Sequence, residues 1–246
     1  MNYSFLNLVT AIVVSVLIIF GWQHFYEKPK LQRLAEEQKH YTKTLESVKK
    51  ETQSTNVDKV VNRHEALNLS KRIPIKSTVL SGSISLQGLR FDDLTLLKYH
   101  TSLDENSPPV VLFSPSAAQE AYFAEIGWLG NNKNVKFPDS STIWEADGDI
   151  ISPDKPITFT WTNPEKIKFV VKVELDDNYM FTIKQITINH SSHPMQTQYY
   201  ALINRTYSHE SERMVNILHQ GMIGAVNGEL KEYNYDDIKD KKKQSF

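Results

Sequence analysis

The sequence has no cysteine, which removes disulfides, thiolate nucleophiles and cysteine metal sites together. It has no excess of one charge either. Its 28 Lys and Arg stand against 29 Asp and Glu, a formal net charge of -1, so no electrostatic footprint calls for nucleic acid as a partner. Only one long apolar run is present, which excludes a polytopic membrane protein. There is no internal repeat, and no low-complexity block beyond the basic run from Lys239 to Lys243, which reads as a solvated tail. What remains is 246 residues, 40% of them hydrophobic, enough for a core in about one globular unit.

The apolar run opens the chain. From Met1 to Tyr26 no side chain carries a full charge, and Phe5 to Trp22 is broken only by Asn7, Thr10, Ser15 and Gly21. At about 1.5 Å per residue this segment spans roughly 27 Å, close to the ~30 Å hydrocarbon thickness of a bilayer. Trp22, Phe25 and Tyr26 follow at its far end, where aromatic rings favour the headgroup region. A cleaved signal peptide would show a basic start and a small-residue cleavage site, and neither stands out. A buried core helix would carry a polar face, and this segment has almost none. Residues 1–26 therefore read as a single transmembrane signal-anchor. Lys28, Lys30, Arg33 and Lys39 follow it with nothing basic before it, which by the positive-inside rule alone would leave the body in the cytoplasm.

Residues 27–72 read as a helical stalk and polar linker. Leu31, Leu34, Tyr41, Leu45 and Val48 fall on one helical stripe between charged residues, as a juxtamembrane helix requires. Fewer than three heptads are present, which favours a solvated spacer over a dimer seam. From Glu51 to Asn62 the rhythm is lost and the residues are polar, the pattern of a connection.

Residues 73–238 read as a β domain, followed by the basic tail 239–246. Ile157, Phe159 and Trp161 alternate with Thr158, Thr160 and Thr162, one face buried and one wet. Ile167, Phe169, Val171, Val173 and Leu175 repeat the pattern and lead into Asp176, Asp177 and Asn178, a hairpin signal. The return strand begins with Tyr179, Phe181 and Ile183 but continues with Ile186 and Ile188 in the opposite phase, which predicts a β-bulge near Lys184 and Gln185. Further strands are expected around Ser83 to Leu89, Val110 to Phe113, Tyr122 to Ile126 and Gln198 to Arg205, punctuated by proline and aspartate. The fold class is mainly β, a twisted antiparallel β-sandwich.

Candidate chemistry is sparse. His190 and His193 are spaced so that a strand would send their rings to opposite faces, and no third metal ligand is indicated. Asp92-Asp93, Asp176-Asp177 and Asp236-Asp237 are adjacent carboxylates; in extended chain neighbours diverge, whereas an acid/base pair must converge, so turns and solvated edges are the expected use. Gly221, Gly224 and Gly228 imitate a phosphate loop, but no Gly-Lys-Ser/Thr follows, and Val226-Asn227-Gly228 reads better as a hairpin turn. No Gly-x-Ser-x-Gly elbow or triad spacing appears. No catalytic, cofactor-binding or metal-binding residue is assigned, no cofactor is expected, and the chain does not read as an enzyme.

Several segments, in order, resemble the amino-terminal half of the YidC-type membrane protein insertases. They are Gly82-Ser-Ile-Ser-Leu-Gln-Gly-Leu-Arg-Phe-Asp-Asp-Leu-Thr-Leu96, Ser107-Pro-Pro-Val-Val-Leu-Phe-Ser-Pro115, Tyr122-Phe-Ala-Glu-Ile-Gly-Trp128, Asp176-Asp-Asn-Tyr-Met-Phe181 and His219-Gln-Gly-Met-Ile-Gly-Ala-Val-Asn-Gly-Glu-Leu230. The resemblance covers nearly the whole chain. It implies a single-pass protein of the bacterial inner membrane with its bulk in the periplasm, overriding the charge signal, and a supersandwich-like β domain. It also implies nascent membrane proteins, Sec translocon components and the lipid bilayer as partners. A complete member continues through further strands into a five-helix membrane region with a polar groove. The sequence ends at Phe246, so the expectation is an incomplete sandwich without the insertase core, since one apolar helix cannot form such a groove. The alternative of another class is a membrane-tethered periplasmic module that binds polypeptide or sugar. A sugar-modifying enzyme would need convergent histidine and carboxylate groups that no spacing selects.

Overall fold

Alternation is the property that organises this chain, because a strand with period-two apolarity is stable only when one face leaves water. The computed structural model describes residues 28, 60–104, 106–130, 132, 134–206, 221–226 and 228–234. The apolar run, the stripe from Leu31 to Val48 and the basic tail lie outside the described residues.

The elements are α1 (Arg63–Leu67), β1 (Arg72–Lys76), β2 (Leu80–Ser85), β3 (Arg90–His100), β4 (Pro109–Phe113), β5 (Tyr122–Gly130), β6 (Glu145–Ala146), β7 (Ile157–Thr162), β8 (Ile167–Leu175), β9 (Phe181–Asn189), β10 (Thr197–Arg205), β11 (Gly221–Val226) and β12 (Glu229–Asn234). The sheet pairings between these strands are all antiparallel. One sheet has six strands in the order β1-β2-β3-β5-β10, with β4 also on β3; another has four, in the order β6-β7-β8-β9. Strands β7 and β8 have the bounds that their alternation predicts, and Asp176 closes the β8–β9 turn by accepting from the N–H groups of Asn178 and Met180 at 2.7 and 2.8 Å.

Both sheets contribute to one core. Ile73, Ile84, Phe91, Leu94 and Trp128 come from the six-stranded sheet, and Phe159, Phe169, Val171 and Val173 from the four-stranded one. Trp128 meets Phe169 edge-on at 5.2 Å, and Phe91 meets Phe181 at 5.6 Å, a geometry that aromatic quadrupoles favour. The architecture is mainly antiparallel β and consistent with a sandwich.

One local expectation is corrected. No bulge interrupts β9, whose pairing with β8 runs unbroken from Ile167↔Asn189 to Leu175↔Phe181. Gln185 lies opposite buried Val171 and donates its Nε2 to the Gly127 carbonyl at 2.9 Å, so a polar side chain occupies an inward position with its hydrogen bond made. Ile186 and Ile188 stand on the outer face, partly exposed. The bulge is in β3 instead. Pairing passes from Ser83↔Asp93 to Ile84↔Phe91, leaving Asp92 as the extra residue, and this is what lets Phe91 and Leu94 both reach the core.

The stretch read as linker also contains structure. Asn62 caps α1 by accepting from the Glu65 N–H at 2.9 Å, and Ala66 packs with Val61, Ala117 and Ala118.

Strands β11 and β12 belong to a separate unit, residues 207–246. They pair from Gly221↔Asn234 to Val226↔Glu229, and Gly228 takes φ +82, a left-handed conformation that glycine adopts without a Cβ clash. The glycine-rich segment is thus a hairpin, as its Asn-Gly turn predicts.

Candidate functional site

The β3 bulge assembles the most elaborate polar cluster among the described residues. Because a bulge places two consecutive side chains on one side, Asp92 and Asp93 share the face of the sheet away from the core. Arg72 from β1 pairs with Asp92 and donates its Nε to the Ser83 hydroxyl at 2.7 Å. The Ser83 hydroxyl donates to Asp93 at 2.6 Å, and Arg63 from α1 pairs with the same carboxylate. One strand further, Arg90 donates its Nε to Glu125 at 2.8 Å and Nη1 to the Ser116 hydroxyl at 3.1 Å, with its guanidinium 5.2 Å above the Phe123 ring. Glu125 is only 4% exposed.

This corrects the expectation for Asp92-Asp93, which are neither in a turn nor on a solvated edge. Burial raises the Asp92 carboxyl above its ordinary value of 3.8, against the pull of Arg72 and Arg90 and with the help of neighbouring Asp93; the cost of leaving water outweighs the ion pair. Arginines are the suitable partners, because a guanidinium stays charged and presents several donors in one plane. Each carboxylate is engaged by a guanidinium, so the cluster ties α1, β1, β2, β3 and β5 together and presents no free base or nucleophile to a substrate. The sequence reading passed over Arg63, Arg72, Arg90 and Glu125. The available signal was Glu125 at the centre of an otherwise apolar strand.

The other candidate residues stay apart. His190 and His193 lie in the loop after β9, both exposed, with His193 Nδ1 3.0 Å from the Ser192 hydroxyl. Among the described residues no group of three or more His, Asp or Glu could hold a metal ion. Asp176-Asp177 form the predicted turn, and Asp236-Asp237 lie outside the described residues. A small polar pocket is lined by Gly88, Glu125, Asp139, Ser140, Trp144 and Tyr200. Although burial opposes it, the Asp139 carboxyl is held below its ordinary 3.8 by hydrogen bonds from Ser141 and Thr142 and by Lys136.

Two long strands, β9 and β10, end their sheets. On β10, Tyr199 and Ile203 lie opposite Trp128 and Ala124, on the core-facing side, yet they are 51% and 57% exposed. The inner face is therefore left open along this edge among the described residues. Apolar surface on an open edge is a pairing template rather than a catalytic cleft.

The model of the YidC periplasmic domain matches residues 72–246. The chain belongs to the YidC periplasmic domain family. Proteins described as Membrane protein insertase YidC are similar along all of it: 50% identical in Rickettsia bellii, 48% in Rickettsia canadensis and 47% in Rickettsia massiliae. The chain spans 43% of the length of the first of these YidC relatives and 44% of the other two. The polar cluster, Arg63 excepted, and the β10 edge both lie within the residues that the YidC periplasmic domain model matches.

Proposed function

We propose that this chain is the anchored periplasmic part of a YidC-type machine for membrane protein insertion and folding in the bacterial inner membrane. The observation that carries the reading is similarity to insertases along the entire chain, the apolar first 26 residues included as well as the β body. Residues 1–26 serve as the single membrane span, 27–72 as the connection, and 73–238 as the body on the periplasmic side. Among the described residues no strand pairs the outer edge of β9 or β10, which supports an incomplete sandwich to which further strands add, because an unpaired nine-residue edge with apolar neighbours is otherwise an aggregation site. The clients are nascent membrane proteins, and components of the Sec translocon are the neighbours in the membrane. The chain works without catalysis or cofactor, by holding and positioning. The tethered binding module is not favoured, because the matched relatives are described as insertases.

Insertion itself requires a path that lowers the cost of moving polar groups through lipid, which one apolar span does not provide. Reconstitution into liposomes with a single-span client tests this. The chain alone should leave the client uninserted, and addition of the multispanning part of a relative should restore insertion. Efficient insertion by the chain alone would overturn the reading, as would a cytosolic carboxyl end in a protease-protection assay.

A further inference from the structure

We propose that residues 60–71 form a releasable clasp that sets how far the β body can stand from the membrane; the membrane part of this inference rests on the anchored reading above. The clasp lies between the apolar segment and β1. At its start, the Val61 N–H donates to the Ala117 carbonyl at 3.1 Å, and Val61 bridges Ala118. In its middle, Ala66 packs on Ala117 and Ala118, and Arg63 pairs with Asp93 on the bulge. At its end, the Ser70 and Ser85 hydroxyls lie 2.9 Å apart, and the Lys71 carbonyl accepts from the Leu86 N–H at 2.8 Å.

Three features make this attachment weaker than the body it sits on. Its apolar contacts form a small cluster separate from the main core. The Arg63 side chain is 32% exposed, so solvent screens its ion pair. The helix has five residues, too short to persist without the surface beneath it. Local opening ahead of global unfolding is the consequence. When the clasp is closed, the chain is tied to the body from Val61 onward; when it is open, it is tied from Arg72. The twelve residues released add reach on the order of 40 Å at ~3.4 Å per extended residue. The bulge that gathers Asp92 and Asp93 thus has separate uses for its two carboxylates: Asp92 holds β1 permanently, and Asp93 holds the clasp.

The full chain in lipid nanodiscs allows the test, with amide hydrogen exchange read at Val61 and Ala66 and, for comparison, at Val171 in β8. Arg63→Ala and, independently, Ala66→Glu should each speed exchange at the two clasp amides at least tenfold and leave Val171 unchanged, while Arg63→Lys stays close to the parent. Since the chain has no cysteine, a single Thr182→Cys on exposed β9 can carry a donor fluorophore. Energy transfer to headgroup-labelled lipid should fall in both releasing variants. The proposal is overturned if the clasp amides exchange no faster than Val171 in every variant, or if they open without any change in transfer. Loss of the parent chain from the bilayer would refute the anchored reading and the effect on reach, whereas the exchange pattern decides by itself whether the clasp exists.

Discussion

The β8–β9 pair and the β2–β3 pair are built on opposite principles. Strands β8 and β9 run in unbroken register, with a continuous apolar inner row of Phe169, Val171, Val173 and Leu175. Strands β2 and β3 shift register at Ser83 and Ile84 and carry two adjacent carboxylates on the outer face, each held by an arginine. The first pair is held by area removed from water, which is additive and tolerant. The second depends on compensating buried charges, where loss of one partner leaves the other stranded. A sheet can therefore be regular where only packing is at stake and irregular where it must attach another segment.

Each kind of pairing can be weakened by single substitutions. The largest effect is expected at Phe169, fully buried against Trp128, Trp161 and Phe137. Phe169→Ala should lower unfolding free energy by about 3–5 kcal/mol, measured from the shift in urea midpoint. On the charged side, Glu125→Ala should cost about 3 kcal/mol because it strands buried Arg90, and adding Arg90→Met should recover most of that loss. Equal losses in the single and double variants would mean that packing, rather than charge, dominates there.

The bulge itself is probed at Gly82, which faces Leu94 and has φ +155. A Cβ there would run into the Asp93 carbonyl oxygen, so Gly82→Ala should cost about 1–3 kcal/mol, with faster exchange confined to β2 and β3. The smallest effect is expected at Asp139. Its carboxyl is held below 3.8 in the folded chain, so it contributes stability above that pH, and the contribution is lost as pH falls through the folded value. Asp139→Asn should be slightly less stable than the parent at pH 7, and the two midpoints should converge as the pH falls below about 3.8. A gap that persists in acid would assign the role to the loop's packing instead.

The charged side also explains where sequence reasoning stopped. Strands β7 and β8 were legible because apolar and polar residues alternate along them, with Val170 as the exception, and the turn at Asp176 because its side chain can cap its own backbone. The Gly228 hairpin was legible for a similar local reason. The same rule misplaced the bulge. Ile186 and Ile188 imitate a phase shift, whereas they are outward residues of a regular strand and the inward polar Gln185 is satisfied by a carbonyl on the other sheet. At Asp92-Asp93, a rule about extended chain failed because the chain there is not regularly extended. No local pattern shows which arginine, from residues 20 or 30 positions away, will meet a buried carboxylate.

By itself, the order of residues determined the class of structure: a cysteine-free chain with one apolar run and a β body, since composition and period-two alternation act over neighbouring residues and need no partner to be read. Only the folded molecule decided that the β3 carboxylates converge, that Arg63 crosses to Asp93, and that the inner face of β10 stays open among the described residues. Those outcomes depend on which strands lie side by side, a matter settled by long-range pairing and by the requirement that each buried charge find its opposite.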